Sequence, residues 1–306
     1  MLNLPNSSVR LFPVPPYLRG AAESWFEHGD RTPRKPRLAS SVVLVRDSPR
    51  GTETYLAYRR GESPLGRVAF PGGSIDPGDD DAVAWYGPAP AVWAKTMGID
   101  DARLARRHVV AAIRELFEET GILLAGPDES TLLEANRGPE WMAARAAIAS
   151  GDASFLDLLT RRGLGLRTDL LRPLSNWQTA DFALRRFDTR YFAVVQPLGQ
   201  EASLLEGKGS WGQWRSAAAE TANRDTTALG DEIGLPDTTG LTLAELTVPQ
   251  VELVLEKLAR ARGCIAYLTS RRPAAVFQPE LVQADGDYWL AVQLSGVTEG
   301  SAQRGR

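Results

Sequence analysis

The 306-residue chain holds a single cysteine, Cys264, and only two histidines, His28 and His108. One thiol excludes an internal disulfide framework and suits a reducing compartment, so a cytoplasmic protein is expected. Two imidazoles argue against a histidine-built zinc site or a Ser-His-Asp triad, and His28 and His108 read as structural. No apolar run is long enough for a membrane: Ser41-Val42-Val43-Leu44-Val45 is strand-sized, whereas a spanning helix needs about 20 residues. An excess of one charge is missing too. Thirty-five Lys and Arg face 38 Asp and Glu, for a formal net charge of -3, and no basic block stands out. That balance argues against a nucleic acid held by bulk electrostatics. Hydrophobic residues make up 43%, enough for a sizeable core and too many for wholesale disorder. With His and Cys so scarce, any chemistry is expected to run on carboxylates.

The length suits about two average domains, or one enlarged by insertions. No repeat or low-complexity linker divides the chain, so one mixed α/β domain with embellishments is expected. Residues 1–37 are proline-rich, lack the apolar stretch of a signal peptide, and read as an extended arm with a short helix over Ala21–His28. Strand-like segments follow at Leu38–Arg46 and Glu53–Arg60, then a glycine-rich passage, Phe70–Asp79. Residues 80–100 look irregular or partly helical. Asp100 or Asp101 is placed to cap a helix that runs to Thr120, with Gly121 in the C-terminal glycine position.

Further helices are expected at Glu140–Ser150 and Ser154–Arg162, and strands at Leu170–Gln178 and Arg185–Gln196. Residues 199–240, rich in Gly, Thr, Asp and Ala, read as a long surface excursion with a short helix near Ser216–Asn223. Val248–Arg262 has helical apolar spacing, and Ala275–Val282 with Tyr288–Leu294 flank a hairpin turn at Ala284–Asp287. The resulting division is an arm at 1–37, a main domain at 38–262 with insertions at about 80–107 and 199–240, and a C-terminal hairpin extension and tail at 263–306.

The informative stretch is Arg114–Ile122. On a helix Glu115 precedes Glu118 and Glu119 by three and four residues, so the three carboxylates share one face. Unpartnered, they repel one another. A hard divalent cation removes the conflict, because Mg²⁺ accepts carboxylate oxygens beside water and phosphate. Ile113, Leu116 and Phe117 point away as core anchors, and Arg114 is placed to hold a glutamate or balance charge. A solvated acidic face is the plain alternative. Upstream, Phe70–Gly73 and Asp76–Asp79 make a sharp loop in which backbone amides and carbonyls, those of Gly72 and Gly73 above all, can approach a phosphate or metal closely.

Loop and helix together resemble the Nudix box: Gly, five residues, Glu, seven residues, then Arg-Glu-x-x-Glu-Glu-x-Gly-apolar. Gly73 and Arg114–Ile122 match it. Asp79 stands at the first glutamate, and residues 80–113, 34 in number, replace the usual seven. The coenzyme A diphosphatases of the Nudix superfamily include a subgroup whose box is split at this point. Asn176–Thr179, Arg185–Phe192, Gln213–Ser216 and Thr247–Gln250 resemble its downstream landmarks. The resemblance implies a Nudix α/β/α sandwich with a mixed β-sheet and added helical insertions. It also implies that Mg²⁺ or Mn²⁺ is bound and water activated against a diphosphate. Carried over by position, Glu118 and Glu119 are the main metal ligands, Glu115 a further ligand or the general base, and the Gly73 carbonyl part of the shell.

In coenzyme A-cleaving members an arginine-bearing segment precedes the loop. Here Arg59, Arg60 and Gly66 fit it, while Glu62 stands where an arginine is expected. Arg59 or Arg60 is thus a candidate phosphate contact, with a surface role as the alternative. Arg185 and Arg186 read as structural partners of acids such as Asp188. Trp177, Trp211 and Trp214 are adenine-stacking candidates or core residues, and Cys264 reads as a small buried residue. The expected reaction is cleavage of coenzyme A or acyl-coenzyme A to 3′,5′-ADP and (acyl-)4′-phosphopantetheine, with segments 127–165 and 199–240 walling the groove. The alternatives are ADP-ribose, nucleotide sugars or dinucleotides as substrate, or a non-catalytic nucleotide-binding module. The expected partner is a small-molecule diphosphate, without nucleic acid or membrane, and a homodimer is left open.

Overall fold

Val42, Val43, Leu44 and Val45 are all fully buried. A run apolar on both faces belongs in the middle of a covered sheet. The computed structural model, which describes residues 9–29, 32–134, 138–205, 209–270 and 275–294, places it there. The strand Arg37–Ser48 pairs in parallel with Phe187–Val195 and antiparallel with Gly51–Tyr58. Arg172–Gln178 extends the sheet beyond Phe187–Val195. Val42, Leu44, Phe192 and Val194 face a core shared with the helices Pro90–Met97, Ala102–Thr120 and Phe155–Arg161. Val43, Val45, Tyr191 and Ala193 face the opposite core, built with Pro249–Arg260 and Cys264–Thr269. Strand alternation thus sends successive residues into two cores, and the chain is a mixed-sheet α/β sandwich.

The helix Ala102–Thr120 begins where Asp101 Oδ1 accepts from the backbone amides of Arg103 and Leu104, at 2.8 and 3.3 Å. It ends at Gly121, which adopts the left-handed conformation at φ 76°. Ile113, Leu116 and Phe117 are fully buried, as their spacing requires. The short strand Gly72–Ser74 pairs with Ala39–Ser41 of the central strand and lashes the glycine loop to the sheet.

Long-range pairing departs from the local reading in four places. Within 199–240, Gly212–Ser216 is a sheet-edge strand beside Gly51–Tyr58. Ala275–Val282 divides: Val276–Phe277 joins the opposite edge beside Arg172–Gln178, and Glu280–Ala284 makes the hairpin with Asp287–Gln293. Val9–Pro13 of the arm is the third strand of that hairpin's sheet; the arm's first eight residues and the tail beyond 294 lie outside the described residues. The stretch after the glycine loop, read as an insertion, also packs into the core, because Trp93 of Pro90–Met97 is buried with its ring 6.0 Å from Phe192. Among the described residues no helix is long and apolar enough to cross a membrane.

Phe117 anchors the carboxylate helix against Phe155 and Trp141, at ring separations of 5.9 and 6.3 Å. Phe117→Ala should lower stability by roughly 3–5 kcal/mol through the cavity it leaves. Urea unfolding reads this directly, and a loss below 1 kcal/mol would contradict the packing described.

Candidate active site

The glycine loop and the carboxylate helix, far apart in sequence, are in contact. A Cβ on Gly73 would lie 2.4 Å from Glu115 Oε1, and one on Gly72 would lie 2.5 Å from the Ser40 carbonyl oxygen. Neither glycine has a positive φ. Space, and not backbone conformation, requires glycine at Gly72, where the clash is with backbone; at Gly73 a Cβ would push the Glu115 carboxylate aside.

Arg114 joins the two segments. Its Nη1 donates to Glu115 Oε1 and Glu118 Oε1, both at 2.9 Å, and its Nη2 donates to the Ser74 carbonyl at 2.8 Å. Its Nε and Nη2 grip the two Asp79 oxygens at 2.8 and 3.1 Å. Asp79 is fully buried and also accepts from the Asp76 amide at 2.7 Å. Its reach therefore ends on the arginine and its own turn. Burial works against the charge on Arg114, but the bond to Asp79 and the charges of Glu115 and Glu118 outweigh it and lift its pKa above the ordinary arginine value.

Glu119 has a different partner. Arg59, just past the end of its strand, donates through Nη2 to both Glu119 oxygens, at 2.7 and 2.8 Å, and to the Gly72 carbonyl at 2.7 Å. Arg59 Nε is buried without a hydrogen-bond partner among the described residues. Four carboxylates, Asp79, Glu115, Glu118 and Glu119, thus share two guanidiniums. Burial pushes Glu115 and Glu119 up to about 7, against the pull of Arg114 and Arg59 respectively, and raises Glu118 as well.

Among the described residues no three Asp, Glu, His or Cys side chains converge as a metal-ligating group. The glutamates turn instead towards the two arginines. The donors still suit a hard divalent cation: carboxylate and backbone carbonyl oxygens with surplus negative charge. The Arg59 guanidinium marks where positive charge is wanted, between Glu119 and the Gly72 carbonyl.

Glu115, Glu118 and Glu119 line a cavity of about 430 Å³, with Arg59, Arg60 and Arg185 on its wall. Arg60 is exposed there and makes no side-chain hydrogen bond or ion pair among the described residues. Leu204, Leu205 and Gly209 from the 199–240 segment complete the wall, with Ala149 from the helix Pro139–Ser150. The buried Arg145 is a residue the sequence reading passed over. Its Nε donates to the Glu118 carbonyl and its Nη2 to the Ser203 carbonyl, each at 2.9 Å, joining the end of the carboxylate helix to that segment. A lone charge in the Ala-rich run Ala143–Ala149 was the available signal.

The remaining candidates have partners within the chain. Trp177 stacks on Phe277 at 4.8 Å, and Arg46 lies over the Trp214 ring at 4.3 Å. Trp211 is buried in the core. Arg186 pairs with Asp181, not with Asp188, which accepts from Gln178. His108 is buried beside Ser40, with burial depressing its pKa to about 3, and the ring nitrogen of the exposed His28 lies 3.0 Å from the Ser24 carbonyl. Burial and Asp47 push the Cys264 thiol up to about 12.

Raised carboxylate pKa values make stability depend on pH. The folded chain keeps protons on Glu115 and Glu119 that the unfolded chain, with an ordinary value of 4.5, gives up. This contribution is complete below about pH 4.5 and is lost as pH rises through about 7. His108, whose pKa is depressed, acts with the opposite sign between about 3 and 6.5, so a paired comparison isolates the acids. In metal-free buffer Glu119→Gln should gain stability relative to wild type as pH rises from 5 to 7.5. A difference in urea midpoint that stays constant with pH would refute the buried-acid description.

No protein-family model matches the chain, and no curated protein matches it. Solved structures do. A NUDIX hydrolase from Alicyclobacillus acidocaldarius is 25% identical with a TM-score of 0.57, over 77% of this chain and 96% of that one. An Ap4A hydrolase from C. elegans is 15% identical at a TM-score of 0.30, over 64% of this chain and 92% of that one. The NUDIX domain of Shewanella oneidensis NrtR, complexed with ADP ribose, is 13% identical at 0.31, over 63% and 80%. The last two likenesses are too slight to bear on function. The chain has the Nudix fold, and its likeness to a solved Nudix hydrolase supports its place in that superfamily as a hydrolase.

Proposed function

We propose that the chain is a Mg²⁺- or Mn²⁺-dependent diphosphatase whose substrate is coenzyme A or an acyl-coenzyme A, cleaved to 3′,5′-ADP and the (acyl-)4′-phosphopantetheine. The observation that carries this reading is the cavity in which Glu115, Glu118 and Glu119 face Arg60 and Arg185. It sets surplus carboxylate beside cations able to meet a phosphate, and the Gly72–Gly73 backbone stands behind.

Glu115, Glu118, Glu119 and the Gly73 carbonyl would hold the cation. Bound there, it supplies charge neutralisation and a lowered pKa for the attacking water. Arg114 is the positioning residue: it fixes Glu115 and Glu118 while Asp79 fixes its own far side. Glu115, with a pKa near neutrality, suits the role of general base. Arg60 is the better phosphate candidate of the adjacent pair, because Arg59 is committed to Glu119. A small-molecule diphosphate is the only partner this reading requires, and a cytoplasmic location is proposed on the single buried thiol.

Glu118→Gln and Glu119→Gln should each lower turnover at least 100-fold with the fold kept, a barrier increase of about 3 kcal/mol. Near-normal turnover of both at saturating Mg²⁺ would remove these residues from the machinery and favour a non-catalytic nucleotide-binding module. For the substrate, the measurement is kcat/KM for coenzyme A against ADP-ribose and NADH with the same metal. A tenfold preference for either of the latter overturns the substrate and leaves the hydrolase. Arg60→Ala should raise KM for coenzyme A about tenfold more than for its 3′-dephospho analogue, the range of one hydrogen bond to a charged group.

A further inference from the structure

A second cavity, of about 260 Å³, adjoins the carboxylate cavity. Tyr17 and Leu18 wall it on the N-terminal side, and Trp177, Phe182, Leu184 and Tyr191 wall it on the sheet side. Glu62, Ser63 and Arg185 line both cavities, so the two compartments share one threshold. Arg185 is held at it, donating through Nη1 to the Glu62 carbonyl at 2.9 Å.

The distribution of charge across the threshold is uneven. On the near side, the threshold residues aside, stand three glutamates and two arginines. On the far side the only Asp, Glu, Lys or Arg among the lining residues are Glu62 and Arg185, the threshold pair themselves. A phosphate finds no cation deep in such a compartment, whereas an uncharged apolar chain loses water-exposed surface against Leu18, Trp177, Phe182 and Tyr191. At the outer rim Leu184 is 56% exposed, a large apolar side chain left for a ligand to cover.

We propose that this compartment is the subsite for the apolar arm of the substrate, an acyl chain carried at the far end of a diphosphate. The diphosphate lies on the carboxylate side and the arm crosses beside Arg185. The inference rests on the diphosphatase reading and adds to it a selectivity for chain length. Each methylene buried beyond the threshold contributes roughly fourfold in affinity, so specificity rises with chain length until the compartment is full.

The test compares coenzyme A, hexanoyl-coenzyme A and dodecanoyl-coenzyme A with the full chain and Mg²⁺. The expected result is at least a tenfold rise in kcat/KM from the first to the last. Two variants obstruct the compartment without touching the core. Gly20 lines it, is exposed, and a Cβ there meets nothing within 4 Å, so Gly20→Phe is sterically admissible. Leu184→Glu sets a charge at the rim. Each should reduce the dodecanoyl-to-unacylated ratio tenfold or more. A wild type indifferent to chain length overturns the proposal, as does a ratio unchanged in both variants. If wild type cleaves none of the three, the coenzyme A substrate reading fails on its own, while the hydrolase reading stands on the other diphosphates. Calorimetric binding of dodecanoyl-coenzyme A and coenzyme A then decides the subsite: tenfold tighter binding of the former supports it, and equal binding refutes it.

Discussion

The site depends on one buried guanidinium. Arg114 touches Asp79, Glu115, Glu118 and the Ser74 carbonyl, and so ties the glycine loop to the carboxylate helix across a gap of some forty residues of chain. A buried ionic group of this kind is costly to break, because removing the arginine would leave several carboxylates uncompensated in a poorly solvated place. The rest of the site follows from that tie. The loop approaches closely enough that a Cβ on Gly73 would meet the Glu115 carboxylate, and the helix presents its acidic face inward instead of to water.

A single guanidinium does not balance four acids, and Arg59 is the second. Burial is the main cause that raises Glu115 and Glu119, the two arginines pull against it, and the neighbouring carboxylate adds to it in each case. The cluster therefore keeps protons near neutrality, and the same surplus of negative charge is what suits its donors to a cation. Helix anchors and sheet pairing hold this arrangement against its own repulsion, with Phe117 and Leu116 in one core and Gly72–Ser74 laced to the central strand. Fold stability and site chemistry are opposed here, and the buried apolar side chains on the inner face of the helix offset the cost.

Shape comes from segments outside the basic sandwich. The 199–240 segment contributes an edge strand and three residues of the cavity wall, and Arg145 fastens it to the end of the carboxylate helix. The N-terminal arm supplies Tyr17 and Leu18 to the adjoining apolar compartment while its strand Val9–Pro13 pairs with the C-terminal hairpin. The N-terminal arm and Leu290 of the C-terminal hairpin thus close one side of a compartment to which the Phe187–Val195 strand contributes Thr189 and Tyr191.

Local chemistry in the sequence determined a good deal. Asp101 and Gly121 delimit the carboxylate helix because a capping carboxylate and a left-handed glycine act within a turn of themselves. The i, i+3, i+4 spacing put Glu115, Glu118 and Glu119 on one face, and the doubly apolar run at Val42–Val45 marked a central strand. Only the tertiary structure decided the partners. That Asp79 binds Arg114, that Arg59 takes Glu119, that Val276–Phe277 leaves its hairpin for the main sheet, and that Val9–Pro13 pairs with Asp287–Gln293 are contacts between distant residues. Spacing along the chain carries no information on them, because strand pairing and ion pairing are settled by which groups the packed cores bring within a few ångströms and shield from water.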